Sequence, residues 1–176
     1  MTRRRLIGVA VLVAVIVGVA WWWRKESRHR SGKPANGEIA LTWRGRYRGN
    51  AILAATLNWC PETRIALLQG VSSDTGVVVV LHAASTLSRG RHPVAGPSDI
   101  SAIPRPGATV ALRWVRDSAT IIGFHATGGT VSLADIGATA SGEVDVRMQK
   151  PGSLDTLRLR GTFRRLPVTA TAVGCP

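Results

Sequence analysis

Carboxylates are scarce in this chain: ten Asp and Glu stand against twenty-three Lys and Arg, for a formal charge of +13. The acids are scattered, and Glu143 and Asp145, which share a strand face in GEVDVRMQ, read as a solvated pair. That leaves no basis for a paired-carboxylate hydrolase. Cysteine is rarer still, with only Cys60 and Cys175 and no CxxC, CxxCH or Cys/His spacing that would hold zinc or haem. The four histidines, His29, His82, His92 and His125, are not spaced with one another as ligands would be. GxSxG is missing, so Ser72 and Ser73 in GVSSDTG are not a nucleophile elbow. GFHATGGT has glycines but neither a lysine nor a helix start for a phosphate loop. We expect no enzyme here, no metal and no cofactor of its own.

What is abundant is positive charge, and it is unevenly spread. Eight Lys and Arg fall within the first 35 residues against a single Glu, so the basic pI belongs largely to the flanks of an apolar run. Nucleic acid is the usual partner of such a pI, but no known reading element accompanies the charge, and nucleic acid is not expected as a partner.

The apolar run is LIGVAVLVAVIVGVAWWW, residues 6–23, eighteen in a row without a charged group. As a helix it reaches about 27 Å, enough to span a bilayer core. Trp21, Trp22 and Trp23 followed by Arg24 and Lys25 fit the headgroup boundary, where indole rings settle and long cations reach phosphate. Three successive residues point around most of a helix, so these indoles form a collar in lipid, or one or two of them pack on a partner helix or a pigment that the partner binds. Ala10, Ala14 and Gly18 make a row of small residues suited to close helix packing. A cleaved leader would have a shorter apolar core and small residues at its end, so an uncleaved anchor is preferred.

The expected division is a basic tail at 1–5, a transmembrane helix at 6–23, a basic Ser/Gly/Pro linker at 24–37 and an extramembrane β domain at 38–176. A count of positive groups alone favours a cytoplasmic domain. The tight cluster Arg3–Arg5 and a cysteine pair in an all-β domain argue the other way, for a bacterial inner-membrane protein with its N-terminus cytoplasmic and its β domain periplasmic. A bridge between Cys60 and Cys175 would suit that compartment; two separate thiols are the alternative.

Beyond residue 36 the pattern is that of strands. EIALTWR alternates, NAILAATLNW alternates with Ile52, Ala54 and Thr56 in phase, and RIALLQGV and GVVVVLHAA are short apolar runs. TVALRWVR, ATIIGFHAT and GTVSLAD follow. The clearest unit is the last, where Val144, Val146 and Met148 share a face, KPGS turns, and Leu157, Leu159, Gly161 and Phe163 return in phase. The spacing predicts an antiparallel β-sandwich or partly open barrel of seven to nine strands. VVVV at 77–80 reads as a central strand covered on both faces, and residues 85–107, with four prolines, as a long irregular connection. Arg44, Arg46 and Arg48 alternate in TWRGRYRG, and Arg158 and Arg160 alternate in the last hairpin; each set predicts a basic stripe. Such a stripe is a solvated edge, or it rests on anionic lipid headgroups or an acidic protein surface.

The closing hairpin, ASGEVDVRMQKPGSLDTLRLRGTFRRL, resembles the ending of uncharacterised single-pass bacterial envelope proteins with a β-sandwich domain. The architecture of one Trp-collared helix and a small β domain resembles accessory subunits of photosynthetic reaction-centre and light-harvesting complexes. That resemblance implies a structural subunit among other transmembrane subunits, touching pigment or lipid bound by a partner. The alternative is a periplasmic binding module that holds a small ligand, lipid or glycan between its sheets.

Overall fold

The computed structural model describes residues 33–96, 103–118 and 120–170. The helix expected at 6–23, with Ala10, Ala14, Gly18, Trp21, Trp22, Trp23, Arg24 and Lys25, lies outside them, as does Cys175. Among the described residues no helix is long and apolar enough to cross a membrane.

Among the described residues nine strands make one sheet: β1 (Glu38–Gly45), β2 (Gly49–Cys60), β3 (Ile65–Val71), β4 (Thr75–His82), β5 (Gly90–Pro93), β6 (Gly107–Asp117), β7 (Thr120–Ile136), β8 (Thr139–Gln149) and β9 (Thr156–Ala170). Leaving β5 aside, each strand pairs antiparallel with the next, and β9 returns to pair with β1 along Glu38↔Arg164 to Gly45↔Leu157. The sheet therefore closes into an eight-stranded barrel with β5 as an extra strand. Strand number and antiparallel pairing agree with the sequence; the sandwich and the open seam do not, since β1–β9 and β7–β8 close the ring of eight strands and leave only β5 with a free edge.

Alternation explains the interior. Ile39, Leu41 and Trp43 of β1, Val77, Val79 and Leu81 of β4, Val144, Val146 and Met148 of β8, and Leu157, Leu159 and Phe163 of β9 all point inward and are buried. An eight-stranded barrel is just wide enough for such side chains to fill it. On β2 the inward face is Leu53, Ala55 and Leu57, while Ala54 and Thr56 face solvent, the reverse of the phase expected for this strand. VVVV is covered on one face only: Val77 and Val79 are buried, and Val78 and Val80 lie half-buried on the outer wall.

Two irregularities shape one end. On β7 the register shifts between Ala126 and Gly128, and Gly129 adopts a φ of +124°, a conformation that costs glycine little. The bend carries β7 away from β6, and β5 pairs with the freed stretch through Gly90↔Leu133 to Pro93↔Thr130. The Pro-rich connection thus contains a strand, and Val94 ties it to β6 through a parallel bridge to Ala108. On β9, Arg165 takes a φ of +45° beside the shift between Ala140 and Gly142, and its N–H donates to Ser141 Oγ at 2.9 Å. Past the start of β1, β9 meets β2 directly and in parallel, from Leu57↔Val168 to Trp59↔Ala170. The described chain therefore enters and leaves at one end of the barrel. The turns at 46–48, 72–74 and 150–155 lie at the other.

Candidate functional site

At the far end the interior is stoppered by aromatics. Trp43 stacks on Trp114 with ring centroids 5.4 Å apart, Trp114 stacks on Phe124 at 5.5 Å, and Tyr47, from the β1–β2 turn, meets both Trp114 and Phe124 edge-on. Offset and edge-to-face contacts of this kind add to the burial of the rings. Buried side chains fill the barrel below this plug.

The outer wall carries its charge where the two predicted basic stripes meet. Because β1 and β9 close the barrel, Arg44 lies directly opposite Arg158, and Arg158 lies directly opposite Arg147 on β8. Adjacent strands are about 4.8 Å apart, so three guanidinium-bearing positions form a row across the sheet. Arg160 sits in the next row, opposite both Thr42 and Asp145. Arg46 and Arg48 are not on the strand, as the alternation suggested, but in the turn after Gly45, where the chain must reverse. There Arg46 Nε approaches Asp155 Oδ1 at 3.3 Å.

One carboxylate organises this surface. Arg158 donates through Nε and Nη2 to Asp145 Oδ1 and Oδ2, each at 2.7 Å, the bidentate geometry that favours arginine over lysine. Arg160 Nε adds a longer contact at 3.5 Å. The hydrogen bond from Arg158 holds the Asp145 carboxyl below the usual carboxylate range, and Asp145 in turn raises Arg158. Arg44 and Arg147 have no carboxylate within ion-pair distance among the described residues. Like charges facing each other across strands are unfavourable, so this row is a concentration of positive potential that the fold itself only partly offsets. Arg147 was missed by sequence reasoning; its alternation with Glu143 and Asp145 was visible, but its place beside Arg158 depends on hairpin register.

His82, His92 and His125 are separate from this patch, and His29 lies outside the described residues. His92, on β5, faces the same side as its partner Val131, is 2% exposed, and has an Nδ1 without a hydrogen-bond partner. Burial lowers its pKa, against the raising effect of backbone groups of Gly90 and Val131. His82 is lowered too, by burial first and then by Arg105. No group of three or more His, Cys, Asp or Glu stands close enough for a metal among the described residues. Cys60 ends β2 and is buried. No protein-family model, curated protein or solved structure matches this chain.

Proposed function

We propose that this chain is a non-catalytic, single-pass accessory subunit of a larger bacterial membrane protein complex, anchored by residues 6–23 and gripping a neighbouring subunit or its lipid through the outer wall of the barrel. The observation that carries this reading is the row Arg44, Arg158 and Arg147, flanked by Arg160. A basic strip that one carboxylate, Asp145, only partly offsets steers an acidic surface to itself and sets its orientation more than it adds raw affinity. The filled barrel supports the same reading, since a ligand chamber between strands is what the alternative binding module requires.

In this proposal the β domain is periplasmic, and Cys60 pairs with Cys175 to fasten the end of the chain to β2. Trp21, Trp22 and Trp23 sit at the headgroups or against a partner helix, and Ala10, Ala14 and Gly18 face another transmembrane segment. A photosynthetic reaction-centre or light-harvesting assembly is the version of this proposal that pigment absorbance reads directly. The test is to solubilise native membranes in mild detergent and follow the chain through size separation. Co-migration with a large particle, released by high salt, is the expected result. Migration alone as a small particle, or recovery of a soluble polypeptide that begins downstream of residue 23, would sink the proposal.

A further inference from the structure

Half-way round the barrel from the arginine row lies a different surface. In the closed order β4 is four strands from β9 in either direction, and β6 is four from β1. Here Val71 of β3 faces Gly76 of β4, Gly76 faces Arg113 of β6, and Arg113 faces Gly123 of β7. The adjoining outer row runs through Val78, Ala111 and His125. Together they form a groove of about 440 Å³, roofed at one side by Pro151 of the last hairpin and apolar apart from Gln69, Arg113 and His125.

Gly123 is the informative residue. A glycine facing outward in mid-strand weakens the strand and marks a close approach of ligand or backbone. At several other strand positions glycine has a steric reason: at Gly161 an added Cβ would strike Leu41, and at Gly45 it would strike the backbone of Thr156 and Leu157, although Gly128 of β7 meets only the Arg147 side chain, at 3.4 Å. At Gly123 nothing lies within 4 Å of that position, and at Gly76 the nearest atom is Arg113 Nε at 3.4 Å, the end of a flexible side chain. Neither has a positive φ. Packing demands neither glycine; Gly123 leaves the groove open on the β7 side of Arg113, whereas Gly76, the second residue of β4, is buried with the Arg113 side chain against it.

Arg113 is exposed, and among the described residues it has no carboxylate within ion-pair distance. A trench with an apolar floor and a single unpaired cation matches an anionic amphiphile with one extended hydrocarbon chain. The volume falls within the range of about 300–1,000 Å³ typical of small-molecule sites. We infer that the outer face of β3, β4, β6 and β7 binds the acyl chain of such an amphiphile, with its carboxylate or phosphate on Arg113. The inference is independent of the accessory-subunit reading, because it uses the opposite wall.

The experiment is residue-resolved NMR of the full chain in nanodiscs of neutral phosphatidylcholine, titrated with dodecanoate. Saturable shifts centred on Val78, Ala111 and Gly123 are expected. Dodecyl maltoside, with the same tail and an uncharged head, should need at least tenfold more. Arg113→Gln should bring dodecanoate to that weaker level, and Gly123→Val should fill the trench and abolish the shifts; if the valine variant does not fold, the exposed Arg113→Gln carries the test. Nanodiscs containing phosphatidylglycerol separate the two sources, since shifts at the same residues without free dodecanoate assign the site to membrane lipid, and shifts with dodecanoate alone assign it to a free fatty acid. No saturable shift with either, equal response to both head groups, or shifts that appear only with a co-purified protein would overturn the inference.

Discussion

Asp145 is the side chain on which the basic wall turns, because it accepts hydrogen bonds from Arg158 and also forms an ion pair with Arg160. Its folded pKa is depressed, so its contribution to stability is present above the ordinary value of 3.8 and is lost as pH falls through the lower folded value. Asp145→Asn should therefore lower the urea midpoint at pH 7, and the gap from the parent should narrow as pH falls below 3.8; a gap unchanged on acidification would contradict this. His92 works in a different window and with the opposite kind of cost. Burial lowers its folded pKa below 6.5, so the unfolded chain takes up the proton first, and stability falls as pH drops below about 6.5. His92→Leu should lose less stability than the parent between pH 7 and pH 5, measured by urea unfolding at both. Equal losses would show that burial does not lower the folded pKa of His92. The sequence showed no role for His92, because a lone imidazole in a Pro-rich stretch gives no hint that the stretch folds back as a strand over the barrel wall.

At the scale of elements, alternation located most strands but did not always choose their faces. In NAILAATLNWC both phases are apolar, so period two could not decide between Ile52, Ala54 and Thr56 and the true inner set Leu53, Ala55 and Leu57; pairing with β1 and β3 decides it. The final hairpin was legible because its outer positions are charged, as in Glu143, Asp145 and Arg147. β7 reads as two runs, GFHAT and GTVSL, because the bulge at Thr127–Gly129 breaks the phase: Ala126 and Val131 both point inward although five residues apart. The bulge on β8 and β9 offers the sharper test. An added Cβ at Gly142 would collide with the backbone carbonyl of Ser132 and with the Phe163 ring, neither of which moves without disturbing the β7–β8 pairing. Gly142→Ala should destabilise the barrel by about 1–3 kcal/mol, the usual cost of overpacking, read as a lower urea midpoint. Gly123→Ala, placed in open space, should show no such loss.

For the whole molecule, closure is the property the sequence did not reveal, because a sandwich and a barrel ask for the same pattern of inward apolar and outward polar residues on each strand. What separates them is the contact between the first strand and the last, and that contact also turns two separate stripes into one wall by setting Arg44 against Arg158. The same closure places the arginine wall and the apolar trench on opposite sides, so a single small barrel presents two unlike surfaces. The wall is costly to the fold, which gives the accessory-subunit proposal a discriminating consequence. Arg147→Glu puts a carboxylate opposite Arg158, replacing a like-charge pair across strands with an opposite-charge one, so the isolated barrel's urea midpoint should rise. If the wall grips an acidic neighbour, the same change should release the chain from its complex at lower salt than the parent requires, because part of the complementary field has been reversed. A variant that is both more stable and less well retained is the expected pair of results. A variant retained at the parental salt concentration would remove the wall from the interface, whatever happened to its midpoint.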